Sequence, residues 1–239
     1  MLLTGDVSDW TTATVAASIE RPPDSLGTTC QERPEMLTVE ETIRQRRSIR
    51  RYRPEAIPRE LVLRMLEAAR LAPSASNRQP WRFLIVVDAE DKKKLRHTAG
   101  YPFVEKAPLV VVCAADLDAY SPRSGALRDR ELVDSGILES FADQFPDPRR
   151  ARELDRTSVV RSVVANTYIA IEHLVLAAAS MGIGTCWVGA VDQSEEVRAL
   201  LDLPESIIVV ALVACGYPAE EPRPRPRLEM EDILLRPLP

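Results

Sequence analysis

Ala72-Pro73-Ser74-Ala75-Ser76-Asn77-Arg78-Gln79-Pro80-Trp81, APSASNRQPW, joins two segments of different periodicity. Before it, apolar residues recur at helical spacing, with Leu61, Met65, Leu66 and Ala69 on one face. Pro58 is a favoured first-turn residue for that helix. Pro73 stops it after Ala72, because its ring cannot continue the helical hydrogen bonding. After the stretch, Trp81 to Val87 reads as a buried strand. A polar loop of small side chains therefore occupies a helix-to-strand junction. Small residues let a flat ligand lie close to the backbone. The carboxamides of Asn77 and Gln79 each offer donors and acceptors, which suits a heteroaromatic edge carrying both. Taken alone, an ordinary loop between two prolines is an equal reading.

Upstream lies Arg46-Arg47-Ser48-Ile49-Arg50-Arg51-Tyr52. In an extended segment Arg46, Ser48 and Arg50 point the same way, because strand side chains alternate. Two guanidinium groups flanking a hydroxyl make a phosphate-binding constellation, since arginine forks onto phosphate oxygens. A solvated basic turn is the plainer alternative; the two stretches together, in this order, are more specific than either.

Working outward, Thr38 and Glu41 have the spacing of a capping box for a helix from Val39 to Gln45 that delivers the arginines at its end. Ala89 to Thr98 reads as a charged surface helix, and Leu109 to Ala115 as a strand covered on both faces. Residues 116–156 are polar and irregular, suited to a lid or arm that sets specificity. Val159 to Met181 is the longest apolar stretch. Arg161, Asn166, Glu172 and His173 interrupt it, which favours a buried central helix, also able to supply a dimer interface, over a membrane span. Gly182 stops it. Thr185 to Val188 is a short strand, Val197 to Leu201 a helix and Ile207 to Cys215 a second buried strand. Residues 217–239 form a proline-rich arm, stiff enough to wrap a neighbour. Residues 1–35 lack apolar periodicity, have neither the basic start nor the apolar run of a secretory signal, and carry acids that disfavour a transit peptide. They read as a flexible or peripheral extension to a domain of residues 36–239.

At 239 residues the chain suits one large domain, and its 45% apolar and 28% charged shares fit a soluble globular protein. A net charge of −5 disfavours general nucleic-acid binding. Cys30, Cys113, Cys186 and Cys215 are far apart and form no CxxC pair, so they read as thiols of a reducing compartment rather than a disulfide or zinc framework. His97 and His173 build no metal cluster. No Ser/His/Asp set, catalytic cysteine or carboxylate pair stands out, and the glycines of the 182–189 region do not spell GxGxxG.

RRSIRRY at 46–52, APSASNRQPW at 72–81, GIGTCWVGAVD at 182–192 and GYP with a basic segment at 216–227 together resemble the FMN-dependent nitroreductase-like flavoproteins, over about Met36 to Leu235. The resemblance implies an α+β (α/β sandwich) fold with a central mixed or antiparallel sheet flanked by helices, in an obligate homodimer that exchanges its C-terminal arms. It implies that Arg46, Arg47, Ser48 and Arg50 hold the phosphate and pyrimidine side of FMN, with Arg225 and Arg227 completing the phosphate site. Asn77 and Gln79 would read the polar edge of the flavin, and Pro73, Ser74 and Ala75 would come from the partner subunit. Trp187, Val188, Gly189 and Ala190 would line the ring, a backbone N–H of Gly189 or Ala190 reaching its hydride-accepting nitrogen. The implied activity is cytoplasmic reduction of electron-poor acceptors (nitroaromatics, quinones or enones) by NADH or NADPH, by ping-pong hydride transfer through the flavin, with no catalytic side chain. No nucleic-acid, membrane or metal partner is implied. Relatives that dehalogenate aromatics carry a PSGAxxEPW-type loop; PSASNRQPW here favours the general reductases. Reduction of a deazaflavin precursor, dehalogenation and a non-catalytic flavin sensor remain as alternatives. Family members often carry an acid near position 166, where this chain has Asn166.

Overall fold

A computed structural model describes residues 37–120, 155–189 and 194–236. The expectations for 1–35, for most of 116–156 and for Ala190 fall outside the described residues. A sheet of β1 (Trp81–Val86), β2 (Leu109–Asp116), β3 (Gly184–Gly189) and β4 (Ile207–Gly216) runs in the order β1-β2-β4-β3, every neighbouring pair antiparallel. Of the expected mixed or antiparallel sheet, the antiparallel form is therefore the one present. Among the described residues, parallel pairing occurs only as the isolated bridge between Ser48 and Thr185.

The central strands β2 and β4 are apolar on both sides because helices cover both faces. Alternation sends Leu109, Val111 and Cys113, with Ala211, Val213 and Cys215, to one face. There they meet α2 (Arg59–Arg70) and the long α5 (Arg156–Ser180), through Val62, Met65, Ala69, Ile171, Leu174 and Ala178. Val110, Val112, Leu212 and Ala214 face the other way, toward Leu95 of α3 (Ala89–Ala99), Val104 of α4 (Pro102–Lys106) and Val197 of α6 (Ser194–Leu200). By length and composition α5 could cross a membrane. Its buried face instead forms the centre of the first core, as the polar interruptions in its sequence imply.

Several boundaries shift from the sequence reading, among them the starts of α5 and α6, three residues earlier than expected. Pro58 is the N-cap rather than the first helical residue of α2, which ends at Arg70, short of Ala72. The run from Trp81 is an edge strand, not a buried one: Arg82 and Leu84 are exposed, Phe83 and Ile85 half-buried, and Val87 lies outside it. Gly182 ends α5 as expected, at φ +74°. Its N–H donates to Ala179 O at 3.0 Å and that of Ile183 to Ala178 O at 2.9 Å, a Schellman closure that turns the chain into β3. A short helix, α7 (Met230–Ile233), lies in the C-terminal arm.

Candidate functional site

The capping box forms: Thr38 N–H donates to Glu41 Oε2 at 2.8 Å and Glu41 N–H to Thr38 Oγ1 at 3.3 Å. It starts α1 (Val39–Gln45), whose C-cap is Arg46. From there the chain is stitched into the fold on two sides. Ile49 N–H donates to Thr185 O at 2.8 Å, on the free edge of β3. Arg53 N–H donates to Tyr217 O and Ala219 N–H to Arg51 O, both at 2.9 Å, which ties the same segment to the start of the arm. The Glu220 carboxylate accepts from the backbone N–H of Arg50 at 2.6 Å and of Arg51 at 3.1 Å. Tyr52 places its hydroxyl 2.5 Å from Ile49 O, and burial raises its pKa.

This stitching gathers the sequence-predicted arginines. Arg46, Arg47, Ser48 and Arg50 line one recess of ≈ 710 Å3 together with Arg223, Arg225 and Arg227 of the arm. Glu220 is the one carboxylate in its lining. None of these arginines forms an ion pair with a carboxylate among the described residues. Arg47 instead donates to Arg44 O and Arg46 O, and Arg50 stands 5.9 Å over the Phe103 ring. So many like charges in one recess repel one another until an anion joins them. Forked donors around an open volume are the arrangement that takes up a phosphate.

Beside the recess, the outer edge of β3 is met among the described residues only at Thr185, by the bridge to Ser48, and is otherwise unpaired. Thr185 O points away from β4, since it accepts from Ile49. Backbone groups alternate along a strand, so the N–H of Trp187 and of Gly189 point the same outward way. Gly189 is exposed, and a side chain there would meet only the Trp187 ring, at 3.5 Å. The period of two sends the side chains of Trp187 and Val188 to opposite faces of the sheet. Trp187, half-buried, packs edge-on against Tyr168 at 5.3 Å beside the first core, and Val188 is buried in the second.

The loop after α2 holds Asn77 and Gln79 at φ 50° and 48°, a left-handed conformation that non-glycine residues adopt sparingly. Their side chains bond each other, Gln79 Nε2 donating to Asn77 Oδ1 at 3.0 Å. Ser74 Oγ accepts from Gln79 N–H at 2.9 Å. Within one chain none of Pro73, Ser74, Ala75, Asn77 or Gln79 lines the arginine recess. Sequence reasoning passed over Arg223, which the period-two PRPRPR run signals, and Glu220, for which no local pattern exists.

Comparison with known proteins gives the family and the fold. The model of the Nitroreductase family matches residues 43–217. The chain is 39% identical over 198 residues to a protein of Thermus thermophilus named NADH dehydrogenase, covering 80% of this chain and 91% of that one. It is 31% identical over 189 residues to the FMN reductase [NAD(P)H] of Bacillus subtilis, covering 78% and 68%. The fold is similar to that of the NADPH:FMN oxidoreductase of Vibrio harveyi solved with NAD+, with a TM-score of 0.65, 26% identity, and 83% and 76% of the two chains covered.

Proposed function

The chain belongs to the nitroreductase family, and on that premise we propose that it is a soluble, cytoplasmic FMN enzyme that uses NADH or NADPH to reduce electron-poor small molecules such as nitroaromatics, quinones or enones. The observation that carries this is the recess of arginines without carboxylate partners, opening beside the unpaired edge of β3. The donor set fits FMN part by part. Arg46, Arg47, Ser48 and Arg50 would hold the phosphate, joined by Arg225 and Arg227 from the arm. Glu220 would keep the backbone of Arg50 and Arg51 in place while the guanidinium groups turn to the anion. The outward N–H of Gly189 would donate to the ring edge where negative charge develops on reduction. Bound FMN supplies the hydride chemistry, accepting from a nicotinamide and delivering to the acceptor in two separate encounters.

One chain offers the arginines and the Asn77–Gln79 loop at separate places, so two chains complete each site, Pro73, Ser74 and Ala75 coming from the second copy. The arm, residues 217–239, crosses to that copy, and residues 1–35 stand outside the catalytic domain. The test is spectroscopic. Purified protein reconstituted with FMN is titrated anaerobically with NADH and with NADPH, then with a quinone, a nitroaromatic and an enone. Bleaching of the flavin followed by its recovery on adding an acceptor is expected. A yellow protein that neither cofactor bleaches would overturn the enzyme reading, and a protein that takes up no FMN would overturn the cofactor.

A further inference from the structure

We propose that Asn166 is the positioning residue that fixes the Ser74–Gln79 loop in the shape that meets the flavin, an inference that rests on the FMN reading above. Asn166 lies within α5 and is only 7% exposed. A buried carboxamide is unfavourable unless its donors and its acceptor are used. Here both ends are used, in different directions. Oδ1 accepts from Ala75 N–H at 2.8 Å, across 91 residues of sequence. Nδ2 donates to Ser162 O at 2.7 Å, one turn back on the same helix, and to the Tyr120 hydroxyl at 3.3 Å. The donor side is thus pinned by the body of the protein, and the acceptor side is left aimed at the loop.

The loop has reason to need such a hold. Ala75 opens a 3-10 turn, Ala75–Asn77, and the first N–H groups of a helical turn have no partner inside it. The bonds Asn77 N–H to Ser74 O, Arg78 N–H to Ala75 O and Gln79 N–H to Ser74 Oγ are internal, so they set the loop's shape without attaching it to the fold. Asn77 and Gln79 sit in a sparsely populated backbone region that persists when surrounding contacts hold it. The bond from Asn166 anchors the turn to the central helix directly before those two residues. Arg78, between them, stands 5.6 Å over the ring of the same Tyr120 that Asn166 bonds.

The experiment compares FMN affinity and amide hydrogen exchange in the full chain and in three variants. Asn166→Leu removes the acceptor. Ala75→Pro removes the donor at a first-turn position that accepts proline, after a Ser74 already extended at φ −144°, ψ 153°. Asn166→Leu with Ala75→Pro removes both. Losing one buried hydrogen bond predicts FMN binding about tenfold weaker in Asn166→Leu and in Ala75→Pro. The double variant should be no weaker than the weaker single one, as two halves of one bond require. Unchanged affinity in Asn166→Leu, or single effects that multiply, would each overturn the proposal. Should Asn166→Leu not fold, unchanged FMN binding by Ala75→Pro would overturn it alone. If the parent itself takes no FMN, the functional reading has failed and the hold is read from exchange instead. Amides of Ser76 to Gln79 exchanging faster in Ala75→Pro, and of Ala75 to Gln79 in Asn166→Leu, support the hold, and equal exchange refutes it.

Discussion

Position 184 admits only a hydrogen. A Cβ on Gly184 would stand 2.7 Å from Ile49 Cγ1 and 2.8 Å from Ile49 Cβ. Ile49 has nowhere to go, because its N–H is bonded to Thr185 O and its side chain is buried. Gly184→Ala is therefore expected to destabilise the fold by about 1–3 kcal/mol through overpacking. It should also weaken FMN binding, since the same push displaces the segment carrying Arg46 to Arg50. Urea unfolding of the FMN-free protein and a flavin titration check the two effects; a parent-like unfolding midpoint would contradict the packing argument. Gly182, Gly184 and Gly189 stand close together in the sequence. In the fold they do different work: Gly182 adopts φ +74°, Gly184 lets Ile49 approach, and Gly189 exposes an edge. Local spacing cannot distinguish these, because close approach is set by a residue 135 positions away in the case of Gly184 and Ile49 (184 − 49).

At the scale of elements, strands and helices were legible wherever periodicity was strong. The capped α1, the buried β2 and β4 and the Gly182-terminated α5 lie where apolar pattern and end signals put them. The misreading of β1 has a physical cause: a run of apolar residues does not reveal whether a strand is central or at the edge, which depends on partners elsewhere in the chain. The interior of the fold also carries titratable groups that burial keeps neutral. The thiols of Cys113, Cys215 and Cys186 and the Tyr52 phenol all have raised pKa values, with desolvation the leading cause in each. Unfolding frees them to ionise near their ordinary values, about 8.5 for a thiol and about 10 for a phenol. Above those values the unfolded state binds fewer protons than the folded one, so stability falls as pH rises. Lys92, lowered by burial, acts in the opposite sense but as a single, half-buried group. The urea midpoint is expected to be level through pH 7–8 and to drop by pH 10, measured without FMN; a midpoint that climbs over that range would show that these groups are not held neutral.

For the molecule as a whole, the proposed sharing of a site by two copies could not be read from spacing, since spacing along one chain says nothing about contacts between chains. The arm carries the clue in its side chains. Leu228, Met230, Ile233 and Leu235 are 70%, 57%, 56% and 103% exposed on a single chain, as are Val39 and Ile43 of α1 at 74% and 56%. Fully burying large apolar side chains contributes about 1.5–3 kcal/mol each, an upper range given a compact unfolded state. The four on the arm would therefore supply on the order of 6–12 kcal/mol if a second copy covered them. Ending the chain after Arg227 removes those side chains while keeping Arg223, Arg225 and Arg227. We expect the full chain to sediment as a dimer and the shortened one to dissociate at micromolar concentration and to lose FMN, although every recess arginine is still present. The double change Arg225→Ala, Arg227→Ala should do the reverse, leaving the dimer intact and weakening FMN about tenfold or more, as removing charge-assisted bonds to a phosphate does. A shortened chain that stayed dimeric and yellow would mean that the arm's apolar residues do not join the two copies, and that association rests on α1, α5 or surfaces elsewhere.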